Sequence, residues 1–425
     1  MATVLIMESN RAGSGTMALH HARQLGFRAH FMCRSPDEYE SLPVSPLTVA
    51  DEVTVVDTFD IGRLIHAVDG RADYAAVLAY DDPCVLQASM LGQYLGLAHN
   101  PPPSGVARAR FKDRLRATLA STAWNVRHAV IPLTAKHSPI GYPCVVKPTD
   151  VAGNYGVTVC RDARDFQQAL ELLRSFFERP YAHGYRPHPV ALVEEFLPGT
   201  EFSAEMVWGA RTQEWRLVGF TTKELGSDDC PIEVEHIFPH GFEPDIAESV
   251  LAQLRGCLHA IGIRDTLVHV EFRLSGDRLS LIEVNCRPAG GHINDLVETA
   301  LGSSLIHLHL AAHLGEADAA LDRTRLRRHA GIRFLLPRRA GVIERFTIEP
   351  SADPAVLDLQ TAATPVQADA TLTSDSRLGH VLVQADREEQ VARLLARHIG
   401  RIHACYGAAP TARRPDADQV RTETG

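Results

Sequence analysis

The stretch from Thr266 to Arg287 constrains the fold more than any other part of this chain. Apolar and polar residues alternate through Thr266-Leu-Val-His-Val-Glu-Phe-Arg-Leu, and the turn Ser275-Gly-Asp277 follows. This pattern predicts two antiparallel strands joined by a tight turn. Glu271 lies on the first strand, and Glu283 lies among apolar residues on the second. Because carboxylates are seldom buried without a partner, we expect this hairpin to line a cleft.

One face of the second predicted strand carries three polar residues in succession. Glu283, Asn285 and Arg287 are two residues apart, so they share a face, and Glu271 lies beside them on the neighbouring strand. Oxygen ligands of this kind suit Mg²⁺, which prefers a few protein ligands together with nucleotide phosphates and water. An arginine at that place can stabilise charge on a transferring phosphoryl group. The alternative, a row of solvated surface charges, is disfavoured by the apolar neighbours of Glu283.

The first hundred residues alternate between strand-like and helix-like segments. Short apolar runs predict strands at 3–7, 28–32, 52–56 and 74–79, and helices are predicted at 16–25 and 82–95. Strands separated by helices predict a parallel sheet covered on both faces, which is an α/β domain. The rigid run Asn100-Pro-Pro-Pro-Ser104 predicts the end of this domain, which then spans 1–103.

The remainder of the chain is predicted to be α+β. A region at 104–315 begins with a helix, and strands are predicted at 143–148, 156–160, 190–196, 201–208, 215–222, 268–274 and 278–284. A small α+β domain with a helix at 387–399 is expected at 316–410. The residues at 411–425 lack apolar periodicity, and we expect them to be a disordered tail.

Two glycine loops follow predicted strands. Gly13-Ser-Gly15 is similar to part of a dinucleotide fingerprint, but no acidic ribose ligand is evident, so a tight strand-to-helix turn is the favoured interpretation. Lys147 ends a strand before the loop Gly153-Asn-Tyr-Gly156. Such a loop can offer backbone N–H groups to a polyphosphate, with Lys147 as a point charge. Taken alone, this pattern fits an ordinary β-hairpin equally well.

Composition argues against several classes of protein. The net charge of −9 is not that of a protein that mainly binds nucleic acid. The eight cysteines form no CxxC pair, which argues against a zinc or redox motif. No secretory signal is visible, and no apolar run approaches the roughly 20 residues of a membrane helix. A cytoplasmic protein is therefore the expectation.

The order of these signals resembles the ATP-grasp superfamily of carboxylate–amine ligases. The ordered pieces are Lys112, Lys147 with its glycine loop, Val193-Glu-Glu-Phe-Leu-Pro-Gly-Thr-Glu201, Glu271, and Glu283-Val-Asn-Cys-Arg287. Within the superfamily the chain is most similar to the L-amino acid ligases, which form dipeptides. The pieces that support this are Gly219-Phe-Thr-Thr-Lys223, Ile232-Glu-Val-Glu-His236-Ile-Phe-Pro239 and Pro288-Ala-Gly-Gly291-His292. The resemblance implies an ATP-grasp fold with an N-terminal parallel α/β domain and a small C-terminal α+β domain.

The resemblance also implies roles for individual residues. Those expected at ATP are Lys112, Lys147, Gly153, Asn154, Tyr155, Gly156, Glu194, Leu197 and Glu201. Those expected at Mg²⁺ are Glu271, Glu283 and Asn285. Arg287, Glu233 and His236 are expected at the reacting groups, and the remaining substrate contacts are expected from Lys223, Gly290, Gly291 and His292. The family loop is usually richer in glycine and serine, so Asn154-Tyr155 is a departure, although its backbone donors survive.

The implied activity joins a carboxylic acid to an amine through an acyl phosphate, with release of ADP and phosphate. ATP and Mg²⁺, or Mn²⁺ in its place, are the expected cofactors. The expected partners are small molecules, amino acids above all, with neither nucleic acid nor membrane, and a homodimer is left open. Two alternatives remain: a ligase or carboxylase for another metabolite, and a nucleotide-binding protein without activity.

Overall fold

The computed structural model describes residues 1–10, 12–227, 230–368 and 376–407. The tail predicted at 411–425 lies outside these residues. Among the helices that are described, none has both the length and the apolar character needed to cross a bilayer.

A parallel sheet covered on both faces begins the fold, as predicted. Its strands, in the order β3-β2-β1-β4, are β1 (Thr3–Met7), β2 (Arg28–Cys33), β3 (Glu52–Val55) and β4 (Tyr74–Ala79). Its helices are α1 (Ser14–Gln24), α2 (Asp37–Glu40), α3 (Pro46–Val49), α4 (Ile61–Val68) and α5 (Val85–Tyr94). Leu5 packs in the cluster of Leu64 on α4, whereas Ile6 packs in that of Leu19 on α1. Both faces of β1 are therefore buried, which explains its unbroken apolar run.

A small antiparallel sheet follows and is packed against one long helix. Two helices lead into it, α6 (Pro103–Arg110) and α7 (Lys112–Thr118). The small sheet has the order β5-β8-β6-β7 and comprises β5 (His128–Pro132), β6 (Cys144–Pro148), β7 (Thr158–Cys160) and β8 (Val190–Glu195). Helix α8 (Ala163–Phe177) is capped by the Asp162 carboxylate and buries Phe166 and Leu170 against Val146 and Val193. The glycine loop therefore connects two neighbouring strands, β6 and β7.

An eight-stranded sheet, the large sheet, forms the centre of the molecule. Its strands, in chain order, are β9 (Thr200–Gly209), β10 (Glu214–Ser227), β11 (Cys230–His240), β12 (Leu267–Ser275), β13 (Arg278–Asn285), β14 (His329–Leu335), β16 (Val356–Thr361) and β18 (Gly379–Ala385). Across the sheet they lie in the order β13-β12-β9-β10-β11-β14-β18-β16. The accompanying helices are α9 (Pro244–Ile261), α10 (Ile293–Leu301), α11 (Leu305–His313), α12 (Ala317–Asp322) and α13 (Glu388–Ile399). A third antiparallel sheet joins β15 (Gly341–Ile348), β17 (Val366–Ala368) and β19 (Ile402–Tyr406).

The alternation of side chains along β12 determines which face of the sheet its polar residues occupy. Val268 and Val270 pack in one cluster with Leu254 of α9. Successive side chains on a strand point to opposite faces, so His269 and Glu271 point away from α9. The predicted hairpin of β12 and β13 is confirmed, with Glu271 directly opposite Glu283.

The large sheet continues across the predicted domain boundary at residue 315. Strands β14, β16 and β18 extend the sheet that β9 to β13 begin. The segment at 316–407 thus shares backbone hydrogen bonds with the central region through the pairing of β11 and β14. The boundaries at 103 and 315 remain predictions.

A close contact between α13 and β14 gives a test of this packing. A Cβ added at Gly331 would lie 2.5 Å from Val391 Cγ1 and 3.1 Å from the His236 carbonyl oxygen. Overpacking of this kind costs about 1–3 kcal/mol, so Gly331→Ala should lower the free energy of unfolding by that amount in urea denaturation. Gly400→Ala is the control, because its nearest contact would be 3.8 Å away. Equal stability of the two variants would contradict the close packing.

Candidate active site

A cavity of about 100 Å³, the central cavity, lies between the small sheet and the large sheet. Val145, Val159, Leu197 and Ile282 supply apolar walls, and charged side chains line the rest. It includes nine of the residues predicted at ATP or metal: Lys112, Lys147, Gly153, Asn154, Glu194, Leu197, Glu201, Glu271 and Glu283. An apolar slot beside a charged end has the character that a nucleotide base and its phosphates require.

Glu194 lies at the centre of a buried ion-pair cluster. Its Oε1 accepts from Arg116 Nε at 2.5 Å, and its Oε2 is 2.6 Å from Lys147 Nζ. Burial alone would raise the pKa of Glu194, but the charges of Arg116 and Lys147 lower it to about 2. Burial lowers the pKa of Lys147, and the nearby Arg116 and Lys112 add to this effect against the opposing charge of Glu194. The Glu194 side chain therefore positions Lys147, and the expected place of Glu194 at ATP remains a prediction.

Lys112 and Glu283 form a second buried pair at the same end of the cavity. Lys112 Nζ lies 2.9 Å from Glu283 Oε2 and donates to the Val151 carbonyl at 2.8 Å. Burial would raise the pKa of Glu283, yet Lys112 and the Asn285 amide, which donates at 2.7 Å, hold it well below its usual value. At this end of the cavity, three cations pair with only two carboxylates. The cations are Arg116, Lys112 and Lys147, and the carboxylates are Glu194 and Glu283. The excess positive charge suits anionic phosphates.

Lys223 holds three carboxylates together next to the cavity. Its ammonium lies 2.5 Å from Glu233 Oε1, 2.8 Å from Glu271 Oε1 and 3.7 Å from Glu201 Oε1. Although burial would lower the pKa of Lys223, these carboxylates raise it well above its usual value. Burial, with Glu271 and Glu233 nearby, raises the pKa of Glu201 to about 7 in spite of Lys223. Lys223 is thus the counter-ion of this acidic group.

His269 extends this network behind Glu271. Its ring nitrogens lie 2.7 Å from Glu205 Oε1 and 2.9 Å from Glu271 Oε1. Burial would lower the pKa of His269, but the two carboxylates raise it to about 10. A protonated His269 therefore fixes one oxygen of Glu271 from behind.

The carboxylate set fits a divalent cation that binds together with phosphates. Glu271 and Glu283 face each other across β12 and β13, and Asn285 lies two residues beyond Glu283. These hard oxygen ligands beside two lysines suit Mg²⁺ bound to a nucleotide. Oxygens of Glu201, Glu233 and Glu271 also lie within 4.8 Å of one another, but the Lys223 ammonium already serves that group.

Arg287 connects the site to the parallel sheet. Its Nε donates to Asp82 Oδ2 at 2.8 Å, its Nη2 contacts the same oxygen, and its Nη1 donates to the Pro288 carbonyl at 2.9 Å. A substrate carboxylate at Arg287 would thus share the guanidinium with Asp82. No local sequence pattern pairs these two residues, which are far apart in the chain.

The predicted substrate residues lie on β10, on β11 and in the turn after β13. Glu233 and His236 lie on β11, inside the large sheet. A Cβ added at Gly291 would lie 3.0 Å from His236 Nε2, so the glycine turn adjoins that histidine. His292 is exposed and binds Asp295 at 2.8 Å.

Two predicted ATP residues face elsewhere. The Tyr155 ring lies 5.7 Å from that of Tyr181, on the side of the loop away from the central cavity. The Cα of Gly156 faces Leu173 of α8, where a Cβ would lie only 2.6 Å from Leu173 Cδ2. The backbone N–H groups of Tyr155 and Gly156 could still donate to a phosphate, as expected for a loop in which Asn154-Tyr155 stands in place of glycine and serine. Their roles at ATP remain predictions.

Sequence reasoning missed five polar residues of this site: Asp82, Arg116, Glu205, His269 and Arg377. His269 could have been found, because it shares the strand face of Glu271. The others lie on elements that only the folded chain brings together.

Comparisons with known proteins agree with this geometry. Residues 140–295 match the model of the ATP-grasp domain. The chain is 25% identical to the uncharacterized protein y4rH of Sinorhizobium fredii, covering 94% of this chain and 82% of that one. It is 27% identical to carnosine synthase 1 of Gallus gallus, covering 69% of this chain but only 33% of that one. The crystal structure of an L-amino acid ligase from Bacillus licheniformis has a TM-score of 0.77 and 17% identity, over 96% of this chain and 99% of that one. This likeness confirms the predicted fold class.

The ion-pair cluster at Glu194 gives a test by substitution. Glu194→Gln would leave Arg116 and Lys147 buried with one fewer negative charge, which typically costs about 3–5 kcal/mol in the free energy of unfolding. Glu195→Gln is the matched control, because its partner Arg127 is 69% exposed and the pair should contribute at most about 1 kcal/mol. Chemical denaturation of both variants measures the difference. Equal losses would refute the central position of Glu194.

Proposed function

We propose that this chain, which carries an ATP-grasp domain within an ATP-grasp fold, is an ATP-dependent ligase that joins a carboxylic acid to an amine through an acyl phosphate. The observation that supports this most strongly is the central cavity. It has cations at Lys112 and Lys147 and paired carboxylates at Glu271 and Glu283. The similarity to carnosine synthase 1 favours amino acids as substrates.

Different residues of the cavity would contact the base, the ribose and the phosphates of the nucleotide. The apolar walls at Val145, Val159 and Ile282 would take the base, and Glu201 the ribose. Lys112, Lys147 and the backbone of the glycine loop would take the phosphates. Glu271, Glu283 and Asn285 would hold Mg²⁺, which when bound neutralises phosphate charge.

The first step forms an acyl phosphate. A carboxylate oxygen of the acid attacks the γ-phosphorus, the bond from the γ-phosphorus to the bridging oxygen breaks, and ADP leaves. Because a carboxylate is a poor electrophile, this step supplies a leaving group and needs no nucleophilic side chain. Arg287 would orient the acid and stabilise the negative charge of the acyl phosphate.

The second step forms the amide. The amine nitrogen attacks the acyl carbon, phosphate leaves, and the nitrogen loses a proton. His236 is suited to accept that proton, because burial lowers its pKa and keeps the imidazole neutral. Its Nδ1 is buried without a hydrogen-bond partner in the described structure, and its Nε2 lies 3.4 Å from Glu233 Oε2. Glu233, already bound to Lys223, could share an incoming ammonium only by loosening that pair.

The products distinguish this mechanism from other uses of ATP. With Mg²⁺–ATP and pairs of amino acids, chromatography should detect ADP and phosphate, and chelation of Mg²⁺ should abolish both. Glu283→Gln should lose ADP formation, whereas Glu224→Gln, at an exposed position of β10, should retain it. Formation of AMP and pyrophosphate would contradict an acyl phosphate, and an inactive wild type would favour a binding protein.

Arg287→Lys tests the role of the guanidinium. Lysine keeps the charge but cannot donate in a planar fork, so turnover should fall by about 10²–10³ while ATP affinity changes little. Arg333→Lys is the control, because Arg333 pairs with Glu235 at 2.9 Å outside the cavity. Turnover comes from steady-state ADP release, and ATP affinity from calorimetry. Wild-type turnover in Arg287→Lys would remove Arg287 from the mechanism.

A further inference from the structure

Arg377 reaches the substrate side of the site from the segment before β18. Its Nη2 donates to the Glu233 carbonyl at 3.1 Å and to Glu233 Oε2 at 3.0 Å. The guanidinium carbon lies 3.8 Å from the centre of the Phe334 ring, which fixes the plane of the group. These contacts therefore hold the Arg377 side chain in place. Arg377 lies more than 140 residues from Glu233 in the chain.

Arg377 retains hydrogen-bonding capacity that the described residues do not use. Its Nε is buried and has no hydrogen-bond partner there. Its Nη1 faces the glycine turn, 3.6 Å from where a Cβ at Gly291 would lie. A buried guanidinium N–H without an acceptor is costly, so this group is suited to a bound acceptor.

His236 lies beside the same glycine turn as Arg377. A Cβ at Gly291 would lie 3.0 Å from His236 Nε2, so the imidazole and the Arg377 guanidinium converge on one side of the turn. The Nδ1 of His236 is buried without a hydrogen-bond partner among the described residues, and its Nε2 lies 3.4 Å from Glu233 Oε2. At Gly290 an added Cβ would meet no atom within 4 Å, so the backbone there borders open space. Unsatisfied polar groups and room for a ligand therefore occur together.

The unused N–H groups of Arg377 suit a second carboxylate. Glu233 is divided between two cations, because its Oε1 lies 2.5 Å from Lys223 and its Oε2 lies 3.0 Å from Arg377. Within the described part of the chain, Arg377 has an ion pair with Glu233 alone. A bound carboxylate could accept from the N–H groups that Glu233 leaves unused, and guanidinium groups bind carboxylates with favourable geometry.

We propose that Arg377, with the Gly290–Gly291 turn, binds the carboxylate of the amine substrate. This rests on the ligase function proposed above. An α-amino acid carries its amine and carboxylate on one carbon, which matches the proximity of His236 to Arg377. Glu233 then positions Arg377, and Phe334 holds the guanidinium plane.

The test compares amino acids with their carboxamides as acceptors. A carboxamide has nearly the same shape but no charge, and it cannot itself be activated. ADP release is measured with each proteinogenic L-amino acid as the acid and with an amino acid or its amide as acceptor. The wild type should prefer free amino acids by at least about tenfold in kcat/KM, since a charged hydrogen bond is lost in the amide.

Substitution of Arg377 should remove that preference selectively. Arg377→Gln should raise KM for amino acid acceptors by about ten- to a hundredfold, with KM for the amides changed less than about twofold. Arg377→Lys should recover part of the loss. Arg333→Gln, outside the site, should leave both kinds of acceptor unchanged.

The outcomes separate this inference from the function on which it rests. If Arg377→Gln raises KM for both kinds of acceptor equally, Arg377 only supports Glu233, and the inference is wrong. If amides and amino acids react equally well in the wild type, the inference is also wrong, but the ligase function stands. If the wild type releases no ADP with any pair, both fail together.

Discussion

Every carboxylate buried at this site must have a cation beside it, and much of the local architecture follows from that requirement. Removing an ionised group from water costs several kcal/mol, which only close pairing and hydrogen bonds can offset. Glu194 has Arg116 and Lys147, Glu283 has Lys112, and Glu271 shares Lys223 with Glu233. These cations come from α7, β6 and β10, so the pairs join separate elements. Helix α7 thus links the two sheets, because Arg116 pairs with Glu194 of the small sheet and Lys112 pairs with Glu283 of the large sheet.

The alternation of side chains between the two faces of each strand then determines which charged residues lie next to one another. On β12, alternate residues either pack on α9 or face the cavity, and the direct pairing of Glu271 with Glu283 places two like charges side by side. Two adjacent carboxylates repel, and each depends on its own partners, Lys223 and His269 for Glu271, and Lys112 and the Asn285 amide for Glu283. A divalent cation bound with phosphates would relieve that repulsion. The electrostatics of the site thus suit a nucleotide with its metal.

The sequence allowed the local structure of the site to be predicted, but not its long-range pairing. Period-two alternation and a glycine turn were enough for β12, β13 and the shared face of Glu283 and Asn285. The strand β11 was not recognised, because its run of charged residues fits a solvated loop until β10 and β14 are placed on either side. Asp82 could not be assigned to Arg287, because the contact joins two sheets and leaves no periodic trace in either segment.

The contrast between satisfied and unsatisfied groups bears on what the site is for. Arg110 is buried, yet its Nε and Nη2 donate to the carbonyls of Asp82 and Asp150, so its N–H groups serve the fold. His236 is also buried, yet its Nδ1 has no hydrogen-bond partner among the described residues, and the same is true of the Nε of Arg377 beside it. Each unsatisfied buried polar atom costs about 1–3 kcal/mol in the free protein. Their convergence at the glycine turn is better explained by a ligand that completes them. The cost in the free protein is then offset when a substrate with both an amine and a carboxylate binds.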